Sequence, residues 1–291
     1  MSLNYPQWRA GLCIAGVLGL MCVAPASAQQ AGPPDTDAIE FAASIDFMNQ
    51  YIFRGVRQNA TGMAVWPAID VGINVHSGDG ALRQVRVGGA FLNSLHTGDT
   101  GRRGPTGDVW YESRLSGSVG LRFAGGASFD TTYSVFTSPN HLFTTVKEIA
   151  VKASLEDRQL FGAVALDPYA LAAFEVQAGP GDGQLDGGLR AGKYLELGVA
   201  PRFTFGPIAV TIPVATGLSI GDYYELATDD HAFGFATVGG MISAPLHRSS
   251  ALMSWRLRGG VQYHALGNTT KAFNGGDSSA VVASIGVALS R

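Results

Sequence analysis

The stretch Met253-Ser254-Trp255-Arg256-Leu257-Arg258-Gly259-Gly260-Val261-Gln262-Tyr263-His264 alternates with period two. Met253, Trp255, Leu257, Val261 and Tyr263 fall on one face of a strand; Ser254, Arg256, Arg258, Gln262 and His264 fall on the other. The same split recurs elsewhere. Leu195, Leu197, Val199, Phe203 and Phe205 oppose Glu196, Arg202 and Thr204. Val65, Pro67, Ile69, Val71, Ile73 and Val75 oppose Asp70, Asn74 and His76. The polar faces carry charges of both signs beside Gly, Ala and Ser, as a wet lumen would. A soluble barrel would turn its apolar face inward; this composition predicts the reverse.

Outward from that stretch, runs of the same kind cover 39–52, 63–76, 82–95, 108–122, 127–137, 146–156, 162–176, 193–205, 208–220, 233–244, 253–266 and 280–290. Most exceed the five or six residues usual for a globular strand and suit a tilted crossing of hydrocarbon. Tight turns at 77–80, 124–126, 157–159, 206–207 and 247–250 alternate with wider loops at 53–62, 96–107, 138–145, 177–192, 221–232 and 267–279. That rhythm and the even count predict an all-β chain: a single antiparallel transmembrane β-barrel of twelve strands over 39–291, wide loops outward. Aromatics near strand ends (Tyr51, Phe53, Phe91, Tyr111, Phe123, Phe205, Phe233, Phe235 and Tyr263) are expected in interfacial girdles.

Residues 1–28 read as a cleaved secretory signal, with Arg9 ahead of an apolar core and Ala26-Ser27-Ala28 as cleavage site. Residues 29–38 form a flexible periplasmic lead-in. Both cysteines, Cys13 and Cys22, lie in the signal, which excludes thiol catalysis and disulfides from the mature chain. The formal charge of −3 becomes one unit more negative without Arg9, which argues against nucleic acid as a partner. The expected location is the bacterial outer membrane, with its lipid and the barrel assembly machinery as partners; the oligomeric state is open.

One motif adds a resemblance. Tyr51-Ile52-Phe53-Arg54-Gly55-Val56-Arg57-Gln58 resembles the Y-x-x-R-G-x-x-Q signature of the TorF-type porin family of proteobacterial outer-membrane proteins, with Tyr51, Arg54, Gly55 and Gln58 at its four positions. Pro67-Ala68-Ile69-Asp70-Val71-Gly72 also looks like that family's second strand. The likeness covers about residues 44–77. It implies a porin-like channel for passive diffusion of small hydrophilic solutes or ions. The chain departs from the usual barrel ending, closing on Ala288-Leu289-Ser290-Arg291 without a terminal aromatic. Arg54 either points into the mouth, attracting anions or fixing the first loop, or pairs with a neighbouring carboxylate while Tyr51 joins the girdle and Gly55 relieves a turn.

Strand parity sets the pore-lining candidates. The acidic ones are Glu40, Asp46, Asp70, Glu112, Asp130, Glu148, Asp167 and Glu196; the basic ones are Arg86, Arg114, Arg122, Lys152, Arg202, Arg256 and Arg258. Strand direction puts Arg86, Arg122, Arg202, Arg256 and Arg258 in the periplasmic half and Glu112, Glu148 and Glu196 in the outer half. The lower arginines either form an electrostatic filter or are paired off by Glu40 and Asp130. Twelve tilted strands make a cylinder roughly 24 Å across, with about 10 Å of bore left by the side chains. The alternatives are a non-conducting receptor or structural barrel and a membrane-embedded lipid hydrolase. The hydrolase has little support: the histidines are scattered, Ser113 faces outward, and no GxSxG, HExxH or phosphate loop occurs. Asp182 and Asp186 among glycines depart from calcium-loop spacing, and Asp229-Asp230-His231 is weak as a metal site. No cofactor is expected.

Overall fold

The computed structural model describes residues 39–101, 108–157, 165–176, 190–226, 229–250 and 253–291. The signal, the lead-in, Asp182 and Asp186 lie outside them. Twelve long strands are described: β1 (Ile39–Met48), β2 (Ala64–Ser77), β3 (Leu82–His96), β4 (Trp110–Phe123), β5 (Ala127–Thr137), β6 (Val146–Leu155), β7 (Tyr169–Glu175), β8 (Lys193–Val199), β9 (Val214–Gly221), β10 (Phe233–Ser250), β11 (Met253–Leu266) and β12 (Ser279–Ser290). Each pairs antiparallel with its neighbour in sequence. β12 lies between β11 and β1 and closes the ring, with Ser44 opposite Ala288 and Asp46 opposite Gly286. Full closure leaves these strands no open edge, the only way a sheet satisfies its backbone in hydrocarbon.

The side chains are inverted relative to a soluble barrel. Ile69, Val71, Leu115, Val119, Val151, Leu257, Val261 and Ile285 are exposed on the outside, while Asp70, Arg86, Glu112, Arg114, Glu148 and Glu196 are buried inside. One-residue alternation on a continuous ladder produces this wherever register is unbroken.

Prolines break two of the expected runs. The strand expected over 193–205 stops at Val199, because Pro201 has no N–H for the ladder. The one expected over 208–220 is interrupted by Pro213. The pieces Arg202–Phe205 and Ile208–Thr211 form a hairpin of their own, and Thr211 pairs with Met241 of β10. The strand expected from 162 begins at Tyr169, after Asp167 in a left-handed conformation (φ 46°) and Pro168. Asp167 therefore belongs to a connection, not to a strand.

The largest departure is at the wide-loop end. Three inserts fold into the barrel mouth: the hairpin Ile52–Phe53/Val56–Arg57, the segment carrying Tyr223 and Tyr224, and the short helix α1 (Asn268–Phe273). They pack two apolar clusters inside the ring. One contains Tyr51, Phe53, Trp66, Tyr111, Phe136 and Val146; the other contains Leu171, Tyr194, Tyr223, Tyr224 and Phe235. The loops thus fill the bore that the strand count alone would leave at this end. Tyr51, Phe53, Tyr111 and Phe235 accordingly are not girdle residues, whereas Phe91, Phe205, Phe233 and Tyr263 do face outward. A β-bulge explains Tyr111: Ser94 pairs with Glu112 and Leu95 with Trp110, so the extra residue turns inward beside Glu112.

Candidate functional site: a hairpin latched inside the barrel

The Tyr51–Gln58 motif forms the first insert. Ile52 pairs with Arg57 and Phe53 with Val56, leaving Arg54-Gly55 as a two-residue turn with φ of 47° and 83°. Positive φ at both central positions is the geometry whose twist suits a tight hairpin. Gly55 adopts it freely; Arg54 does so at a cost of about 1–2 kcal/mol. The Gln58 amide donates to the Tyr51 carbonyl at 2.8 Å, and Asn59 Oδ1 accepts from the Tyr51 amide at 2.6 Å.

What holds the strained tip is the barrel wall. The Arg54 guanidinium makes two bonds to Glu148 of β6, Nη1 to Oε2 at 2.7 Å and Nη2 to Oε1 at 2.9 Å. Its Nη1 also donates to Tyr223 Oη at 3.0 Å. The Tyr194 ring lies 4.1 Å from the guanidinium carbon, with Phe53 and Tyr223 at 5.0 and 5.2 Å. The Arg54 and Glu148 side chains are only 2% and 1% exposed. Burial disfavours the guanidinium charge, but the Glu148 carboxylate and the oxygens of Tyr223 and Tyr194 outweigh it, and the Arg54 pKa lies well above its ordinary value. The backbone is pinned as well. Tyr224 Oη donates to the Arg54 carbonyl at 2.9 Å, and Asn274 Nδ2 to the Gly55 carbonyl at 2.7 Å.

The other motif residues are equally committed. Tyr51 Oη donates to Glu112 Oε2 at 2.8 Å, and Arg114 Nη2 reaches Glu112 Oε1 at 2.7 Å. Burial, reinforced by Glu112, pushes Tyr51 well above the usual tyrosine pKa and keeps it a donor. Tyr111 Oη donates to Gln58 Oε1 at 2.6 Å. Arg54 pairs with a carboxylate and by that bond also fixes the first loop, so the two roles open to it meet in one contact, and Gly55 does relieve a turn. Tyr51 lies inside instead of in a girdle.

Below the plug the charges are largely matched. Arg86 lies along the wall over Gly72 and Gly88 to reach both Asp70 and Glu40, the latter at 2.9 Å. Arg258 pairs with Asp46, and Arg202 with Asp167 at 3.2 Å. At the level of the plug, Glu196 accepts from Tyr169 at 2.8 Å and Tyr194 at 2.5 Å. Asp130 stands opposite Lys152 in register, and the Lys152 ammonium lies 4.7 Å from the centre of the Tyr169 ring. Arg256 donates to Ser243 Oγ at 2.7 Å. Among the described residues, Arg122, Lys152 and Arg256 have no carboxylate within ion-pair distance, so the lower half keeps three cations that are not neutralised by contact.

A Ser–His pair does occur: Ser94 Oγ and His96 Nε2 are 2.8 Å apart. Both residues are fully buried, and Ser94 also accepts from Trp66 Nε1 at 2.7 Å. Sealed from lipid and water, the pair is part of the plug's polar scaffold. Asp230 is occupied by Ser219 and the Asp222 amide, and no group of three metal-ligating side chains occurs among the described residues.

The residues that complete the latch were not on the parity list. Tyr194 follows its strand's parity; Tyr223, Tyr224 and Asn274 stand in loops. The signal available was composition: aromatic residues flanking Arg-Gly, and the pair Tyr223-Tyr224, are unusual for loops facing water.

These features define an outer-membrane-type β-barrel with an internal loop plug. No family model and no curated protein matches the chain. Among solved structures, an outer membrane channel from Pseudomonas putida F1 superposes with a TM-score of 0.51 at 8% identity, covering 90% of this chain and 99% of that one. The NanC porin gives 0.46 at 8% identity over 85% and 98% of the two chains. The outer membrane phospholipase A from Escherichia coli gives 0.44 at 10% identity over 86% and 91%. The first of these supports the barrel fold.

Proposed function

We propose that the protein is an outer-membrane channel for passive diffusion of small hydrophilic solutes, held shut at its outer mouth by the hairpin 49–63. The observation that carries the reading is the Arg54–Glu148 latch: a strained, charged turn docked in the lumen and bonded to the far wall. A barrel needing only a solid core could fill it with apolar side chains at lower desolvation cost. A polar latch on a loop is instead suited to release. The apolar exterior, the secretory leader and the resemblance to TorF-type porins support the location; lipid and the barrel assembly machinery would be its partners there.

The test is single-channel recording of protein purified from membranes. Rare, brief openings of the wild type and frequent openings of Arg54→Ala are expected. If both are silent while remaining folded and heat-modifiable, the protein is a non-conducting receptor or structural barrel.

A further inference from the structure

The cradle that holds Arg54 is a recognition site whose occupant is part of the chain itself. We propose that it also binds guanidinium-bearing organic cations, which compete with Arg54 and are the solutes the channel admits. This deepens the channel reading by naming its solute class.

The carboxylate and the ring nearest the guanidinium belong to the wall and stay when the hairpin leaves. Glu148 on β6 presents both carboxylate oxygens, and Tyr194 on β8 presents its ring face 4.1 Å from the guanidinium carbon. Tyr223 adds a hydroxyl acceptor at 3.0 Å. Only Phe53 departs with the hairpin. A carboxylate that takes two parallel N–H bonds, beside an aromatic face, matches a planar guanidinium; an alkylammonium offers no fork and stacks less well.

The surrounding charge points the same way. Among the described residues, Glu112, Glu148, Glu175 and Glu196 are buried at inward-facing wall positions, Glu112 paired with Arg114 and Glu148 with Arg54. Glu175 stands directly opposite Glu148 in register. Withdrawal of Arg54 leaves Glu148 buried without its cation, so replacement by a solute cation is favoured and an anion is repelled. An arginine in the mouth would suggest anion capture; the carboxylate that already neutralises it reverses that reading.

The probe is methylguanidinium at millimolar concentration, with methylammonium and acetate as controls. In Arg54→Ala the unfolding temperature should rise saturably with methylguanidinium. Affinity should be at least about tenfold weaker for methylammonium and in Arg54→Ala/Glu148→Gln, and acetate should have no effect. No response, or a response untouched by Glu148→Gln, overturns the site. Should Arg54→Ala not fold, the wild type decides: methylguanidinium must accelerate hydrogen exchange at amides 52–57, and unchanged exchange overturns the proposal. Neither readout requires current. Binding without conductance would leave the site standing and remove the channel; conductance without binding would do the opposite.

Discussion

Replacing Arg54 by alanine should release the hairpin without unfolding the barrel. The substitution leaves Glu148, whose side chain is 1% exposed, as a buried charge that has lost a two-pronged partner. Breaking one side of such a pair costs about 3–5 kcal/mol, most of it the stranded charge. The lost packing of the guanidinium on Tyr194 is inside that figure and not additional to it. The wall strands keep their ladders, so the cost falls on docking of residues 49–63. At about 1.4 kcal/mol per decade, hairpin amides should exchange roughly two to three and a half decades faster. Hydrogen exchange read by mass spectrometry on the peptide spanning the motif measures this directly. Arg54→Met combined with Glu148→Met removes both charges and should recover most of the protection, because the desolvation cost disappears with the attraction. Less than about a tenfold increase in Arg54→Ala, or a double variant looser than the single one, would refute the latch.

Gly55→Ala places a Cβ 3.0 Å from Phe235 Cβ and Thr270 Cγ2 at a φ of 83°. It should loosen the hairpin by about 1–2 kcal/mol, seen as faster tryptic cleavage after Arg54 and Arg57. Asp99, in the second loop, accepts the amides of Ala60 and Thr61 and the Thr61 hydroxyl. Partial burial raises its pKa, but those donors outweigh it and the net shift is downward. A depressed folded pKa stabilises above the unfolded value and is lost as pH falls through the folded one. Protection of the Thr61 amide should therefore hold down to about pH 4, fade only below it, and lose this pH dependence in Asp99→Asn. Leu115, 62% exposed on the outer face, should cost about 2–4 kcal/mol as Leu115→Arg in a vesicle refolding equilibrium if that face meets mid-depth lipid. An unchanged equilibrium would take Leu115 out of the hydrocarbon. Arg86→Met strands Asp70 and Glu40 together and should destabilise the barrel by about 3–5 kcal/mol in the same assay.

The wall was readable because its rule is local. On β11, Trp255 and Leu257 must face away from Arg256 and Arg258 whatever the rest of the chain does, and they do. The turns at Ser77 and Ala124 were readable for the same reason, since short Gly-rich stretches end ladders. The rule fails where the ladder does. Pro201 and Pro213 split two runs that looked continuous, and each could have been weighed more heavily from sequence, since neither can donate to a central strand. The bulge at Tyr111 is different: an extra residue on one strand is set by its partner across the ladder, and single-strand periodicity does not contain that partner.

The plug lies a step further from local rules. Tyr51, Arg54 and Gln58 occur in the sequence as a loop motif, and a loop has no parity to assign. Their partners are fixed only by ring closure: Arg54 meets Glu148 94 residues away and Tyr223 169 residues away. Yet the motif held a physical hint. A hairpin tip facing water has no reason to place arginine at a position requiring φ above zero, where asparagine or glycine costs less. Arginine there is reasonable only if its side chain recovers the strain through a partner, and in a barrel the partner strong enough is a lumen carboxylate. Arg-Gly at a loop tip, in a chain whose inner face carries several carboxylates, is thus a reason to look for an inward-folded loop before assuming an open mouth.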